Sequence, residues 1–457
     1  MSMPSVSLYE SAARIQPRMA HGRYARLRVL AMCALLGWYY GLPWLSWNGA
    51  PAVLFDLPHR RFNMLMLHLA PQDLYLLSFL LMIAAMTLFL FTSLAGRLWC
   101  GYACPQTVWT EAFLWMERAI EGDRHARLQL DKLPWSSPRK LLRRGARHLA
   151  WIVFALYTGA TFVAYFMPAR ELFPALAHLQ LSGWPLFWVL FYGFATWGNA
   201  GFMREQVCKY MCPYARFQSA MFDRHTLIIA YDEKRGEPRK GLSKQLGKSA
   251  GSCVNCSLCV QVCPTGIDIR QGLQYECIAC AACVDVCNTV MDAIHQPRGL
   301  IRYTSAAREA GGHTRVLRGR TIGYGIVWVV MCTAFLVAIA LRSPLDFDVI
   351  RDRHSLYREL ADERIENVYT VKLGNKDNQP HQLLLSARGA QGAMTIDPSS
   401  VTLQPGESRA LTVAVRGPAP AEDEHGHGAR AEPIKIGVQD ADNPKVRRER
   451  ETRFFGE

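Results

Sequence analysis

Apolar residues fall in five long runs: Val29–Trp47, Leu74–Ala95, Leu149–Met167, Trp184–Met203 and Thr321–Leu341. A helix that crosses a bilayer needs about 20 such residues, so the pattern predicts five transmembrane helices. The second run carries no charge, and the first is interrupted by Pro43. A helix buried in a protein core gives the same pattern, and the proline makes that alternative most serious for the first run. Trp38, Trp44, Trp47, Trp99, Trp151 and Trp184 sit towards run ends, where indoles favour the membrane interface.

Beyond Leu341 the period shortens. Alternating segments at Val368–Leu373, Gln382–Ala387, Ala393–Asp397, Ser400–Leu403, Ala410–Arg416 and Pro433–Val438 predict strands. Asn375–Pro380, Asp397-Pro398 and Pro405-Gly406-Glu407 supply turns, and Pro418–Glu432 reads as a charged, flexible loop. Short strands at this spacing predict an all-β, immunoglobulin-like sandwich.

Charge gives the spans a direction. Lysine and arginine outnumber the acids 52 to 38, a net +14. Arg14, Arg18, Arg23, Arg26 and Arg28 precede the first run, and ten basic residues lie between Gly96 and His148. The turn between the third and fourth runs has only Arg170, and the loop between the first and second has Arg60 and Arg61. Basic loops stay in the cytoplasm. The expected topology therefore has the arm 1–28 inside, a membrane domain over 29–230, a cytoplasmic segment 231–320 and a fifth helix at 321–341. The domain 342–457 is then periplasmic, and the setting is a bacterial inner membrane. The arm lacks the apolar core and small-residue cleavage site of a signal peptide. The run Arg139–Arg147 reads as a positive flank of the membrane.

The cysteines carry the chemistry. Eight of the 14 read Cys253-x2-Cys256-x2-Cys259-x3-Cys263-Pro264, then Cys277-x2-Cys280-x2-Cys283-x3-Cys287. This is the ligand spacing of two 4Fe–4S clusters of the bacterial ferredoxin type, in which the fourth cysteine of each run serves the other cluster. Cys253, Cys256, Cys259 and Cys287 are thus expected to hold one cluster, and Cys277, Cys280, Cys283 and Cys263 the other. Zinc sites and disulfides also use Cys-x2-Cys pairs, but a complete doubled run with a Cys-Pro end is far more specific. Asn288 stands where a second proline would complete the pattern. Such clusters move single electrons. The fold expected is a 2(4Fe–4S) ferredoxin, α+β, inserted into an α-helical membrane domain. Cys33 and Cys332 lie inside apolar runs and none lies beyond Leu341, so disulfides have no part in the tail.

The membrane region repeats itself. Cys100-Gly-Tyr102-Ala-Cys104-Pro105 follows the second run, and Cys208-Lys-Tyr210-Met-Cys212-Pro213 follows the fourth. A residue before proline avoids the helical region, and proline suits a first helical turn. Cys104 and Cys212 are therefore expected at helix N-termini, where the dipole favours thiolate. Four thiolates from matched hairpins suit Cu(I), zinc or a third iron–sulfur cluster; small buried cysteines at helix ends are the alternative. His425 and His427 read as a solvated loop. Met64, Met66 and His68 could hold copper but at this spacing more simply pack, and Met82 and Met86 read as core.

This order of paired loops, doubled ferredoxin run, fifth span and β tail resembles the cytochrome c oxidase accessory family CcoG, also called FixG or RdxA. The first four spans and the clusters also resemble NapH-type membrane ferredoxins, which lack the fifth span and the tail. The former resemblance implies a membrane-bound, iron–sulfur dependent cupric reductase acting in assembly of cbb3-type oxidase. Cys100, Cys104, Cys208 and Cys212 would bind copper and carry its reduction. Its implied partners are copper-handling and oxidase-assembly proteins. No flavin or nicotinamide fingerprint reveals the electron donor, and nothing points to nucleic acid. A quinol-linked carrier and a non-catalytic scaffold are the rival functions.

Overall fold

The computed structural model describes residues 15–47, 50–58, 61–64, 67–69, 73–240, 249–352, 357–360, 364–376, 379–389, 392–418 and 430–456. Met66, His425, His427 and most of the Pro418–Glu432 loop lie outside them. The chain forms two compact units, Met1–Trp44 with Leu81–Cys332, and Leu45–Leu80 with Thr333–Glu457.

The first unit is helical around its cysteines. Its elements are α1 (Arg23–Gly41), α2 (Leu74–Ala95, shared with the second unit), α3 (Leu98–Tyr102), α4 (Pro105–Glu121), α5 (Arg124–Lys132), α6 (Pro138–Val163), α7 (Ala169–Ala177), α8 (Gly183–Thr196), α9 (Pro213–Met221), α10 (Ala282–Ala293) and α11 (Gly319–Ala340, also shared). Only α2, α6 and α11 are long and apolar enough to cross a membrane among the described residues, which corrects the expectation of five. The reasons are local. Arg23, Arg26 and Arg28 dilute the first turns of α1, and the chain leaves it at Gly41 for a 3-10 turn over Leu42–Trp44. The fourth run divides, because the 14 residues of α8 give way to a seven-residue π-helix, Trp197–Met203.

Helix α4 lies antiparallel to α6. Trp109 meets Thr158, Phe113 packs on Trp151, and Glu117 and Glu121 reach Arg147 and Arg144. Glu117 also pairs with Arg204 at 2.6 Å and Arg127 at 3.6 Å. Arg144 and Arg147 are therefore buried ion-pair partners, not merely a membrane flank. Trp151 likewise leaves the interface belt: it is fully buried, donates to the Phe113 carbonyl at 3.1 Å and lies under the Arg147 guanidinium.

The ferredoxin segment is closed by an antiparallel strand pair, β4 (Ile228–Tyr231) and β5 (Ile301–Thr304), over a core of Ile229, Ile267, Ile269, Met291 and Leu300. The cysteine loops and α10 lie between these strands in sequence. Asp285 of α10 accepts from the Tyr24 and Ala25 amides at 3.2 and 2.7 Å. It thereby caps the exposed donors at the start of α1 and clamps the ferredoxin segment to that helix.

The second unit holds a small meander, β1 (Val53–Asp56), β2 (Arg61–Met64) and β3 (Leu67–Leu69), and the β-rich tail. The tail strands are β6 (Leu345–Arg351), β7 (Ile365–Asn375), β8 (His381–Gly389), β9 (Gly392–Asp397), β10 (Ser400–Leu403), β11 (Ser408–Gly417), β12 (Arg430–Asp440) and β13 (Arg447–Gly456). They pair in the order β13-β12-β8-β9-β11-β7-β6, with β10 on β8. Tyr369, Val371, Val413 and Val415 pack against Leu383, Ile434, Ile436, Val438 and Phe454. The six expected strands are all present. β6 and β13 are additional, as is a two-residue strand, Arg358–Glu359, on β7; Arg447–Glu451 of β13 are all charged and all exposed, so no alternation shows there. Buried Asp73 pairs with Arg342 at 2.7 Å and Lys376 at 3.2 Å within this unit.

Candidate functional site

The doubled cysteine run folds as two copies of one loop. Asn255 and Ser257 flank Cys256 with φ of 57° and 56°; Ala279 and Ala281 flank Cys280 with φ of 54° and 58°. A left-handed conformation costs an ordinary residue about 1–2 kcal/mol. Four such residues at matched positions, none of them glycine, mark a backbone bent for a purpose. The bends turn amides towards sulfur: the Ala279 amide serves Cys277 and the Ala282 amide serves Cys280.

The fourth cysteines cross over. Cys287 lies in the electrostatic field of Cys253, Cys256 and Cys259, and Cys283 lies in that of Cys277, Cys280 and Cys263. A cavity is lined by all of Cys253, Cys256, Cys259 and Cys287, with Val290, Met291, Leu300 and Ile301 behind them. Burial pushes the Cys259 thiol up to about 11, and Cys277 and Cys287 up to about 12. Thiols this reluctant to ionise in water-free surroundings are suited to a cationic iron core, which supplies the missing charge. The donor set, the apolar wall and the amides turned to sulfur fit a 4Fe–4S cluster in each half.

The paired loops converge at a second place. Cys104 has φ −62° and ψ 128° and caps α4; Cys212 has φ −81° and ψ 107° and caps α9, as the prolines require. The thiols of Cys100, Cys104, Cys208 and Cys212 share one electrostatic field. The expected dipole effect does not prevail, however. Burial pushes Cys100 up to about 12 and Cys208 up to about 11, and raises Cys104 despite amides from Thr107 and Gln106. The copies also differ: Cys100 lies in the α-helical α3, Cys208 in a π-helical turn over Val207–Met211. Among the described residues no three His, Cys, Asp or Glu side chains stand close enough to hold a single ion as placed. Met64 belongs to the second unit's meander.

The loops that carry the two thiol sets meet. Cys100 packs against the buried cluster of Val262, Ile278, Cys280 and Ala282. A methyl group at Gly101 would meet the Ile278 carbonyl at 2.6 Å and the Cys280 backbone at 3.0 Å, so only glycine admits this approach.

Three residues at this junction escape sequence reasoning. Arg97 is buried, and its guanidinium donates to the carbonyls of Tyr275, just before Cys277, and Ala215, just after Cys212. Its charge favours the thiolate form of Cys100, Cys208 and Cys277. Gln218, fully buried, accepts from the Cys100 thiol at 3.2 Å; Gly101 is the third. One signal was available: three residues before the first cysteine, the first copy has Arg97 where the second has Glu205.

Comparison with known proteins covers most of the chain. Residues 77–121 match a 4Fe-4S binding domain, 203–306 a 4Fe-4S dicluster domain, and 335–457 the IG-like fold at the C-terminus of FixG. Protein RdxB of Cereibacter sphaeroides is 40% identical over 445 residues, 92% of each chain. Nitrogen fixation protein FixG of Rhizobium meliloti is 38% identical over 448 residues, 89% of this chain and 85% of that one. Protein RdxA of C. sphaeroides is 37% identical over 404 residues, 85% of each.

Proposed function

This chain belongs to the family of FixG, RdxA and RdxB, and from that premise we propose that it is a membrane iron–sulfur oxidoreductase that reduces Cu(II) to Cu(I) for assembly of a cbb3-type oxidase. The observation that carries the reading is the close approach of the Cys100-Gly101 loop to the Cys280 loop. It sets four soft thiols, apt for Cu(I), against the ferredoxin segment. Cys253, Cys256, Cys259 and Cys287 would hold one 4Fe–4S cluster, and Cys277, Cys280, Cys283 and Cys263 the other. When bound, these supply one-electron transfer, the unit that Cu(II) reduction requires. Cys100, Cys104, Cys208 and Cys212 would bind the substrate copper, with Gln218 and Arg97 orienting the site. The ten basic residues between Gly96 and His148 support a cytoplasmic side for the cysteines packed there, and one crossing by α11 then gives a periplasmic tail in an inner membrane. Copper-handling and oxidase-assembly proteins are the partners this role requires.

The test replaces Cys100, Cys104, Cys208 and Cys212 with alanine. Copper binding is lost, while the iron of the doubled run stays. Replacing Cys256 and Cys280 gives the reverse: copper binds but no Cu(I) forms. A quadruple variant that binds and reduces copper normally refutes the assignment.

A second reading has its own support, since the 4Fe-4S binding domain match at 77–121 spans Cys100 and Cys104. The paired loops would then hold a third cluster. Anaerobically purified protein decides by its iron, about eight atoms per chain for two clusters and about twelve for three.

A further inference from the structure

The reduction proposed above needs an electron donor, and a cavity of about 400 Å³ beside the paired loops offers a place for one. It lies among α1, α4, α6, α8 and the π-helical turn. Its walls are the rings of Tyr39, Trp109, Phe162 and Tyr192. Its polar edge is Gln106, Thr158, Thr196 and Asn199, and no charged residue lines it. Pro105 is part of the lining and is bonded directly to Cys104.

Each feature narrows the occupant. The volume falls in the range of small-molecule sites, which combine apolar walls with a few polar groups. The absence of charge rules for a neutral ligand. The ring-lined walls suit a flat conjugated ring, which stacks on aromatic faces. The cavity is open-sided, and neighbouring α8 exposes Phe187, Phe191 and Phe194, so a ligand with an apolar tail is favoured. Asn199 sits in a π-helical turn, a distortion frequent at functional sites. That turn is held by Gln106, whose amide donates to the Asn199 and Arg204 carbonyls at 3.0 and 3.1 Å.

We propose that this cavity binds a membrane quinol, which is the electron donor for copper reduction. The balance is one quinol and two Cu(II) giving one quinone, two Cu(I) and two protons. The two hydroxyl O–H bonds break, the ring is oxidised by two electrons, and each electron reduces one copper ion. The protons leave past Gln106, which also lines a neighbouring cavity carrying Glu205 and Glu111. The inference rests on the copper reading for its acceptor, but not for ligand binding.

The test uses the full chain in lipid nanodiscs with decylubiquinone and its quinol. Decylubiquinone should quench tryptophan fluorescence saturably. Ala195→Phe, which fills the cavity, should weaken that binding at least tenfold, and Tyr192→Leu, which removes a wall, should weaken it as well. Quinol-driven Cu(I) formation should fall in parallel in both variants, while Cu(I) formation by protein first reduced with dithionite and then desalted is unchanged. Cys104→Ala should still bind the quinone but lose Cu(I) formation with either donor. Quenching that is non-saturable, or equal in wild type and both variants, overturns the quinol site. Saturable binding in a wild type that makes no Cu(I) even after prior dithionite reduction and desalting leaves the site standing and refutes the copper reading.

Discussion

Replacing Gly101 with alanine tests the contact on which the proposed electron route depends. Taken alone, the change should help: alanine is favoured over glycine inside a helix by about 0.8–1 kcal/mol, and Gly101 lies in α3. The junction reverses the sign. The new methyl would sit 2.6 Å from the Ile278 carbonyl, against 3.4 Å for an ordinary contact. The atoms it meets are backbone, so no rotamer change relieves the clash. The α3 loop and the Cys280 loop must part by about 0.8 Å. Overpacking of this kind costs typically 1–3 kcal/mol, so the net effect is a destabilisation of up to about 2 kcal/mol. Gly145→Ala is the control, since that glycine lies in α6 with nothing within 4 Å of the new methyl; it should stabilise by about 0.5–1 kcal/mol. Thermal denaturation of the full chain in detergent reads both variants. Gly101→Ala should lower the midpoint by a few degrees and slow Cu(I) formation by dithionite-reduced, desalted protein, with iron content retained. If it raises the midpoint as Gly145→Ala does, the two loops are not in contact and the reasoning fails.

Three other outcomes are expected. Arg97→Gln removes a buried positive charge from the field of Cys277, and positive charge stabilises the reduced form. The potential of the cluster site containing Cys277 should fall by on the order of 50 mV, about 1 kcal/mol per electron, while the site with Cys253 holds and Arg97→Lys restores most of it; an EPR-monitored redox titration in which both sites move equally would refute it. Glu117→Gln leaves Arg127 and Arg204 without their paired carboxylate and Arg147 with Glu121 alone. It should cost about 3–5 kcal/mol, read as loss of folded protein on detergent extraction, and an unchanged yield and midpoint would count against the network. A periplasm-active reporter fused after Glu457 should be active and one after Gly251 silent, and the opposite pattern would invert the proposed topology.

The sequence by itself determined the elements whose signal is local. Cysteine spacing encoded the doubled loop, because two-residue gaps between thiols leave a backbone few ways to turn them to one centre. Pro105 and Pro213 placed Cys104 and Cys212 at helix starts, because proline restricts its predecessor whatever surrounds it. Alternation showed six tail strands, and failed at β13, where Arg447–Glu451 put charge on both faces. Apolar runs located the helices but overcounted those long and apolar enough to span a membrane, since a run does not reveal where a helix begins among arginines or widens to a π-turn. Only the tertiary structure decided what the loops are near. The buried pairing of Glu117 with four-helix-distant Arg204, the reach of Arg97 to two carbonyls over a hundred residues away, and the fit of Gly101 against Cys280 all join segments remote in sequence. Such contacts depend on packing across the fold, and packing leaves no period or spacing to read. The thiol acidity followed the same rule: the helix start favours thiolate, but the depth of burial, which only the folded chain sets, outweighs it.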